Sequence, residues 1–256
     1  MKALITGGNS GIGRDMAYYL SDKGYDLIIV GKDKNTLESV KKKCKTNVVT
    51  YELDLSIIDN VYKLYEKTKD LNIDILINNA GFGLFGNFID TDLNRELEMI
   101  NVNIVAVHIL TKLFLKDFVK RDYGYILNVA SSAGFMAGPK LSTYYATKNY
   151  VLRQSLAVYE ELRKMKSKVK ISILCPGPVN TNFNKVAGGS FMTKSSSSEY
   201  VAYYAIDKMF KNKLIIIPKF SIKFFIFLTR LIPTKILLRI NYNIQNIKIN
   251  KYNKEK

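Results

Sequence analysis

Residues 1–14 read Met-Lys-Ala-Leu-Ile-Thr-Gly-Gly-Asn-Ser-Gly-Ile-Gly-Arg. Ala3 to Ile5 is an apolar run short enough to be one buried parallel strand. Thr6 to Gly13 continues as a glycine-rich turn, and from Arg14 to Leu20 the apolar residues Met16, Ala17 and Leu20 recur at helical spacing. Strand, glycine turn and helix together open a dinucleotide-binding unit. The glycines let the backbone turn tightly and approach a pyrophosphate, and the N–H groups at the helix start face its negative charge. They fall as G-x-x-x-G-x-G (Gly7, Gly11, Gly13) and not as G-x-G-x-x-G. Taken alone, such a turn also reads as a plain strand-to-helix loop, so its meaning depends on the motifs further along the chain.

A chain of 256 residues, 47% of them hydrophobic, has the size and composition of one globular α/β domain. Its two cysteines, Cys44 and Cys175, are too few for a disulfide framework and suit a reduced, intracellular setting. Met1 leads directly into the first strand without a secretory signal pattern, which sets the expectation of a cytoplasmic protein. The net charge of +17 is concentrated at one end: residues 211–256 hold 11 Lys and Arg against one acid, Glu255. Such a tail attracts nucleic acid, anionic lipid or an acidic partner, or is a solvated basic surface. Basic and aromatic residues are not interleaved on a recognised nucleic-acid module, so no nucleic-acid partner is expected.

Leu27 to Val30 reads as the second strand, and Gly31-Lys32-Asp33 comes next, where a dinucleotide unit meets the adenosine ribose. An acid there accepts hydrogen bonds from the ribose hydroxyls, whereas a base pairs with a 2′-phosphate. Asn35 to Lys43 reads as a helix and Val48 to Leu53 as a third strand, ending at Asp54, which is placed to cap the helix carrying Ile58, Val61 and Leu64. Ile73 to Ile77 is a fourth strand, with Asn78-Asn79-Ala80-Gly81 directly after it. Asp90 or Thr91 caps a long helix to about Lys120 that contains Asn103 and the only histidine, His108. His108 has no neighbour at metal-ligand spacing, so it is expected to be packed and no metal is expected. Tyr125 to Val129 is a fifth strand with Ser131 and Ser132 at its end. Tyr144 and Lys148 lie four apart on the next helix and share a face. A lysine ammonium there favours the phenolate of a tyrosine whose free pKa is near ~10, a reason for this pair in acid–base chemistry. Val169 to Leu174 and Leu214 to Ile217 read as the sixth and seventh strands, with a helix at Glu199 to Phe210 between them.

The glycine turn, Asn78-Asn79-Ala80-Gly81, Ser131 and Tyr144-x-x-x-Lys148 occur in the order shown by the short-chain dehydrogenases/reductases, and residues 1–218 resemble that family. The resemblance implies a single Rossmann-like α/β domain: a doubly wound parallel sheet of about seven strands with helices on both faces. It implies hydride transfer between a nicotinamide cofactor and a carbonyl/alcohol pair. Tyr144 would be the acid/base, Ser131 would hydrogen-bond the substrate oxygen, and Lys148 would lower the Tyr144 pKa and hold the nicotinamide ribose. Asn103 would be the helix-kinking asparagine whose backbone holds a water. The interval to Tyr144 favours Ser131 over Ser132, and Tyr145 has Asn149, not a lysine, four residues on. Cofactor contacts are implied for Thr6, Gly7, Asn9, Ser10, Gly11, Ile12 and Gly13 on the turn. Asp54 and Leu55 would serve the adenine, Asn79, Ala80 and Gly81 the middle, and Pro176, Gly177, Val179 and Thr181 the nicotinamide. Lys32 takes the position that is acidic in NAD members and Arg14 can add a second charge, so NADP(H) is expected over NAD(H). The alternative is that Lys32 is a surface lysine and Asp33 serves NAD. A homodimer or homotetramer through the helices near 91–120 and 144–165 is also implied.

Residues 182–198 are rich in glycine and serine, with Phe183, Phe191 and Met192 interleaved, and read as a substrate lid. With Phe82, Phe85, Phe135 and Met136 they suggest a roomy apolar pocket without an ionic anchor, suited to a small hydrophobic ketone or secondary alcohol. Residues 219–256 form a basic, apolar C-terminal extension. Lys219 to Leu238 is interrupted by Lys223, Arg230, Pro233 and Lys235, too often for a membrane span. Residues 219–240 can cover the pocket or a partner subunit, or lie as an amphipathic helix on an anionic membrane surface. Residues 241–256 read as frayed or loosely helical. The leading expectation is an NADPH-dependent carbonyl reductase. Its alternatives are a membrane-surface lipid or sterol ketoreductase and, from another class, a non-catalytic NADP-binding sensor or scaffold.

Overall fold

Short runs of aliphatic residues, each bounded by glycine, asparagine or charge, build the central sheet. The computed structural model describes residues 1–188 and 195–255, with the backbone alone at 184, 185 and 251–255. The strands are β1 (Lys2–Thr6), β2 (Asp26–Gly31), β3 (Val48–Glu52), β4 (Ile75–Asn78), β5 (Tyr125–Val129), β6 (Lys170–Leu174), the two-residue β7 (Val179–Asn180) and β8 (Ser196–Ser197), and β9 (Ile215–Ile216). The helices are α1 (Gly11–Asp22), α2 (Lys34–Lys43), α3 (Ile58–Thr68), α4 (Leu93–Ile100), α5 (Val107–Lys120), α6 (Ser142–Lys164), α7 (Phe183–Ala187), α8 (Ser198–Phe210), α9 (Phe220–Thr229) and α10 (Thr234–Glu255).

Seven strands form one sheet in the order β3-β2-β1-β4-β5-β6-β9, and every pairing is parallel. Alternation along β1 and β2 splits the core into two layers. Ala3, Ile5, Leu27 and Ile29 pack with Met16, Leu20, Leu37 and Ile206 of α1, α2 and α8. Leu4, Ile28 and Val30 pack with Val61, Leu64, Phe114 and Phe118 of α3 and α5. Both faces are covered, which is why these strands read as continuous apolar runs. The sheet grows outward from β1 in both directions, so a crevice opens between the carboxyl ends of β1 and β4. The expected doubly wound architecture is present.

Between α4 and α5 the chain passes through a stretch of π-helix, Asn101–Ala106, which contains the buried Asn103. A π stretch inside a helix shifts the backbone register and bends it locally. His108 is exposed, not packed: its Nδ1 lies 2.7 Å from both the Tyr150 hydroxyl and the Gln154 amide nitrogen. These polar neighbours on α6 hold a ring that the apolar residues beside it suggested would be buried. Within 182–198 the chain forms α7 and β8, the latter paired with β7 just ahead of this stretch, while 189–194, with Phe191 and Met192, lie outside the described residues. The extension is two helices, divided before Pro233. Of the two readings for 241–256, the helical one holds through Glu255, and the buried Asn241 and Gln245 tie α10 to Ala137 and Tyr145. Among the described residues no helix is long and apolar enough to cross a membrane.

Candidate active site

The loops after β1, β4, β5 and β6 surround one cavity of about 790 Å³. Gly7, Asn9, Ser10, Gly11 and Ile12 line one end. Gly11 opens α1 at φ +52°, and a Cβ there would lie 3.0 Å from the Thr181 methyl, so a side chain is excluded by conformation and by space. Ser10 sits at the N-cap without a side-chain capping bond, which leaves helix-start N–H groups directed to the cavity. Thr6 and Gly13 do not line the cavity; they build it. The Thr6 hydroxyl accepts the N–H groups of Asn79 and Ala80 at 3.0 and 3.1 Å. Gly13 lets α1 approach Asn79, whose amide a Cβ would meet at 2.3 Å. The Asn79 side chain donates to the carbonyls of Thr6 and Gly7, fastening the turn after β1 to the end of β4. A glycine-floored trough with bare helix N–H groups fits a dinucleotide pyrophosphate.

At the end of β2, Lys32 lines the cavity and its Nζ lies 2.7 Å from Asp54 Oδ2. Asp33 is engaged elsewhere: its carboxylate caps α2, accepting Thr36 N–H at 2.7 Å. Arg14 pairs with Asp15 at 2.7 Å and lies outside the cavity lining. Asp54 lies outside it too, while Leu53 and Leu55 line it. Asp54 does not cap α3, whose N-cap is Ile57; it accepts the Ser56 N–H and hydroxyl at 2.8 and 2.6 Å in the turn ahead of that helix. Burial alone would raise the Asp54 carboxyl, but the hydrogen bonds from Lys32 and Ser56 outweigh it and hold it below its ordinary value.

Tyr144 and Lys148 are buried, line the cavity and project from one face of α6. Burial pushes the Tyr144 pKa up to about 12, against the lowering influence of Ser131 on the same cavity wall. Tyr144 is therefore a protonated phenol at neutral pH. Lys148 Nζ donates to the Val129 carbonyl at 2.9 Å, and burial lowers its pKa to about 8. Ser131 and Ser132 both line the cavity, and it is Ser131 that bears on the Tyr144 phenol; the Ser131 Oγ accepts the Ala133 N–H at 3.1 Å. Tyr145 is drawn away, its hydroxyl accepting the Gln245 amide at 2.7 Å. Asn103 does not line the cavity. Its Oδ1 accepts Phe82 N–H at 3.1 Å, and its Nδ2 donates to the Phe82 carbonyl and Thr147 Oγ1 at 2.9 and 3.0 Å. The side chain is thus spent on the loop after β4, leaving only its backbone for other work. Among the described residues no group of three His, Cys, Asp or Glu could hold a metal ion.

The nicotinamide end carries Pro176, Gly177, Val179 and Thr181, all lining the cavity along with Ala80 and Gly81. Beyond it lie Phe82, Met136, Leu141 and Phe183. Phe85 packs in the cluster behind them, and Phe135 belongs to a separate cluster under α6, so neither lines the cavity. The lining is not wholly apolar: Lys219 and Lys248 both border the cavity. Lys248 Nζ donates to Gln245 Oε1 at 3.1 Å, and burial lowers its pKa to about 8. The extension supplies Ile222, Phe225, Asn241, Ile244 and Gln245 as well. These residues are absent from the sequence-based expectation. Their signal was the spacing of Asn241, Gln245 and Lys248, which puts three polar groups on one helical face.

Comparison with known proteins agrees with this geometry. The family model described as short chain dehydrogenase matches residues 1–189. Estradiol 17-beta-dehydrogenase 11 of Macaca fascicularis is 32% identical over 251 residues, 96% of this chain and 83% of that protein. Very-long-chain 3-oxoacyl-CoA reductase of the same organism is 34% identical over 169 residues, 63% of this chain and 54% of that one. Among solved structures, a short-chain dehydrogenase from Sphingobium yanoikuyae in complex with NADPH superposes with a TM-score of 0.80 at 27% identity, covering 86% of this chain and 88% of the other. The chain belongs to the short chain dehydrogenase family and is an oxidoreductase acting on CH–OH/C=O groups with a nicotinamide cofactor.

Proposed function

We propose that the chain is an NADPH-dependent reductase of hydrophobic ketones, running in reverse as a secondary alcohol dehydrogenase. The observation that carries this reading is that Ser131, Tyr144 and Lys148 line one cavity, with the buried tyrosine and lysine one helical turn apart on α6. The cofactor supplies the hydride. Tyr144, a neutral phenol at physiological pH, gives its proton to the substrate oxygen as negative charge develops there. Ser131 donates a hydrogen bond to the same oxygen. Lys148 holds the ribose, and its charge stabilises the tyrosinate left behind. Asn103 positions the loop that carries Gly81 and Phe82 beside Lys148, and its backbone holds the water that returns a proton. This complete set argues against a non-catalytic sensor.

Lys32 supports NADPH: it lines the cavity at the end of β2, while Asp33, the competing ribose acceptor, is occupied as the α2 cap. Lys32 would exchange part of its pairing with Asp54 for the 2′-phosphate. The Phe82, Met136, Leu141 and Phe183 wall supports an apolar substrate, with residues 182–198 as its lid and 219–256 as its cover. Two relatives are named for estradiol and a very-long-chain 3-oxoacyl-CoA, both with large apolar bodies. Assembly as a homodimer or homotetramer through α4–α5 and α6 is supported by the exposed Leu93, Leu97, Tyr150 and Tyr159. We place the protein in the cytoplasm, with peripheral membrane association as the alternative. The test is fluorescence titration with NADPH and NADH of wild type and Lys32→Asp. Wild type is expected to bind NADPH at least about tenfold more tightly, with the order reversed in the variant. Tighter NADH binding by wild type would contradict the cofactor assignment.

A further inference from the structure

The two helices of the extension are apolar on the outside. On α9, Phe220, Phe224 and Phe227 fall at i, i+4 and i+7, and Leu231 continues the line just past the helix end. Their exposures are 79, 54, 57 and 68%. The opposite face holds Ile226 and Thr229, which are buried, and Ile222, which packs against Gly177 at the cavity. On α10 the pattern is inverted. The buried positions are the polar Asn241 and Gln245, whereas Ile236, Ile240 and Ile247 are exposed. Single exposed apolar residues are ordinary, but an aligned aromatic row opposite a buried face marks an interaction surface.

Charge decides what meets that surface. Lys223 and Arg230 flank the aromatic row, and Lys235 and Arg239 come after them on α10; all four are exposed. Residues 211–256 carry 11 basic residues and one acid. A second copy of this chain would bring the same charge to the same face, and the two would repel. An anionic bilayer supplies both counter-charge and an apolar layer, and a helix with an aromatic face and a basic flank lies in its interface without crossing it.

We infer that α9 is a membrane-docking helix: Phe220, Phe224, Phe227 and Leu231 enter the outer layer of an anionic bilayer, and Lys223 and Arg230 pair with its headgroups. Because the other face of α9 contributes Ile222 and Phe225 to the cavity wall, one helix separates lipid from active site. An apolar substrate then passes from bilayer to cavity along α9 without entering bulk water. This route rests on the ketoreductase reading above; the docking itself does not.

The test is co-sedimentation of the full chain with vesicles of phosphatidylcholine containing phosphatidylserine, and with phosphatidylcholine alone. Binding to the anionic vesicles is expected to be at least about tenfold tighter and to weaken as salt is raised. A Phe224→Glu/Phe227→Glu variant should lose vesicle binding about tenfold or more while keeping wild-type NADPH titration, which reports an intact fold. Should that variant misfold, Lys223→Glu/Arg230→Glu gives the same reading through charge alone. Equal sedimentation with and without vesicles would overturn the proposal. So would variants that bind vesicles like wild type, or a wild-type dimer that the phenylalanine substitutions dissolve. Vesicle binding without ketone reduction would instead overturn the enzymatic reading and leave the docking standing.

Discussion

Residues 1–218 and 219–256 solve opposite problems. The first region buries its aliphatic residues in two layers around a parallel sheet. The second has no core of its own. It turns polar groups inward, Asn241 to the Ala137 carbonyl and Gln245 to the Tyr145 hydroxyl, and leaves phenylalanines outside. The first region holds its shape by apolar burial, whereas the second is held by the apolar inner face of α9, with Ile226 buried and Ile222 against Gly177, and by the directional bonds of α10. The residues proposed to carry the chemistry belong to the first region, and the second borders the same cavity.

Ser131→Ala should break the first region's chemistry while sparing the second. Loss of one donor to the developing oxyanion is expected to lower kcat about 10²–10³-fold with little change in NADPH binding. Steady-state kinetics beside nucleotide titration checks this, and unchanged kcat would remove Ser131 from the mechanism. Gln245→Ala should do the converse. It leaves the buried Tyr145 hydroxyl without its partner, at a cost of about 1–3 kcal/mol, and loosens α10 over the cavity. A raised KM with nearly unchanged kcat is expected, and a kcat loss as large as that of Ser131→Ala would erase the distinction between the regions.

The smallest expected effect is a pH dependence of stability. Lys148 and Lys248 are lowered from 10.5 to about 8. Between those values the unfolded chain binds more protons, so stability rises with pH from about 8. Cys175 and Tyr144, both raised to about 12, act the other way once the unfolded groups begin to ionise, near 9 and 10 respectively. Two lysines against one thiol leave a net rise that slows above about pH 9 and ends near pH 10, where Tyr144, joined by Tyr145 and Tyr65 at about 12, reverses it. Thermal unfolding of the nucleotide-free protein should show it, and Lys148→Met should flatten it. A midpoint that falls steadily across that interval in wild type would contradict the burial of these lysines.

Much of the first region was legible because its signals are local. Tyr125–Val129 is bounded in the structure as its composition indicates, and the i, i+4 spacing of Tyr144 and Lys148 requires only a helix to bring them together. The glycine spacing located the turn, and Asn79 does fasten two strand ends. What the sequence concealed depends on partners far along the chain. Asp54 looked like a helix cap but spends one oxygen on Ser56 and the other on Lys32. Closer at hand, Arg14 pairs through its Nε with Asp15, its neighbour in the chain, a contact the motif alone does not announce. Asn241 and Gln245 read as part of a polar, frayed or loosely helical end because their acceptors lie about a hundred residues upstream. A polar face buried against a wet cavity has the same pattern as a polar face turned to solvent, and only tertiary structure tells them apart.

Tyr144 carries the chemistry most directly. The measurement is NADPH consumption with a panel of bulky apolar ketones, by wild type and Tyr144→Phe, beside NADPH titration of both. Wild type is predicted to oxidise NADPH in a ketone-dependent way, and the variant to be about 10²–10⁴-fold slower with nucleotide binding retained. Turnover undiminished in Tyr144→Phe, or a wild-type protein that binds neither NADPH nor NADH, would contradict the enzymatic role.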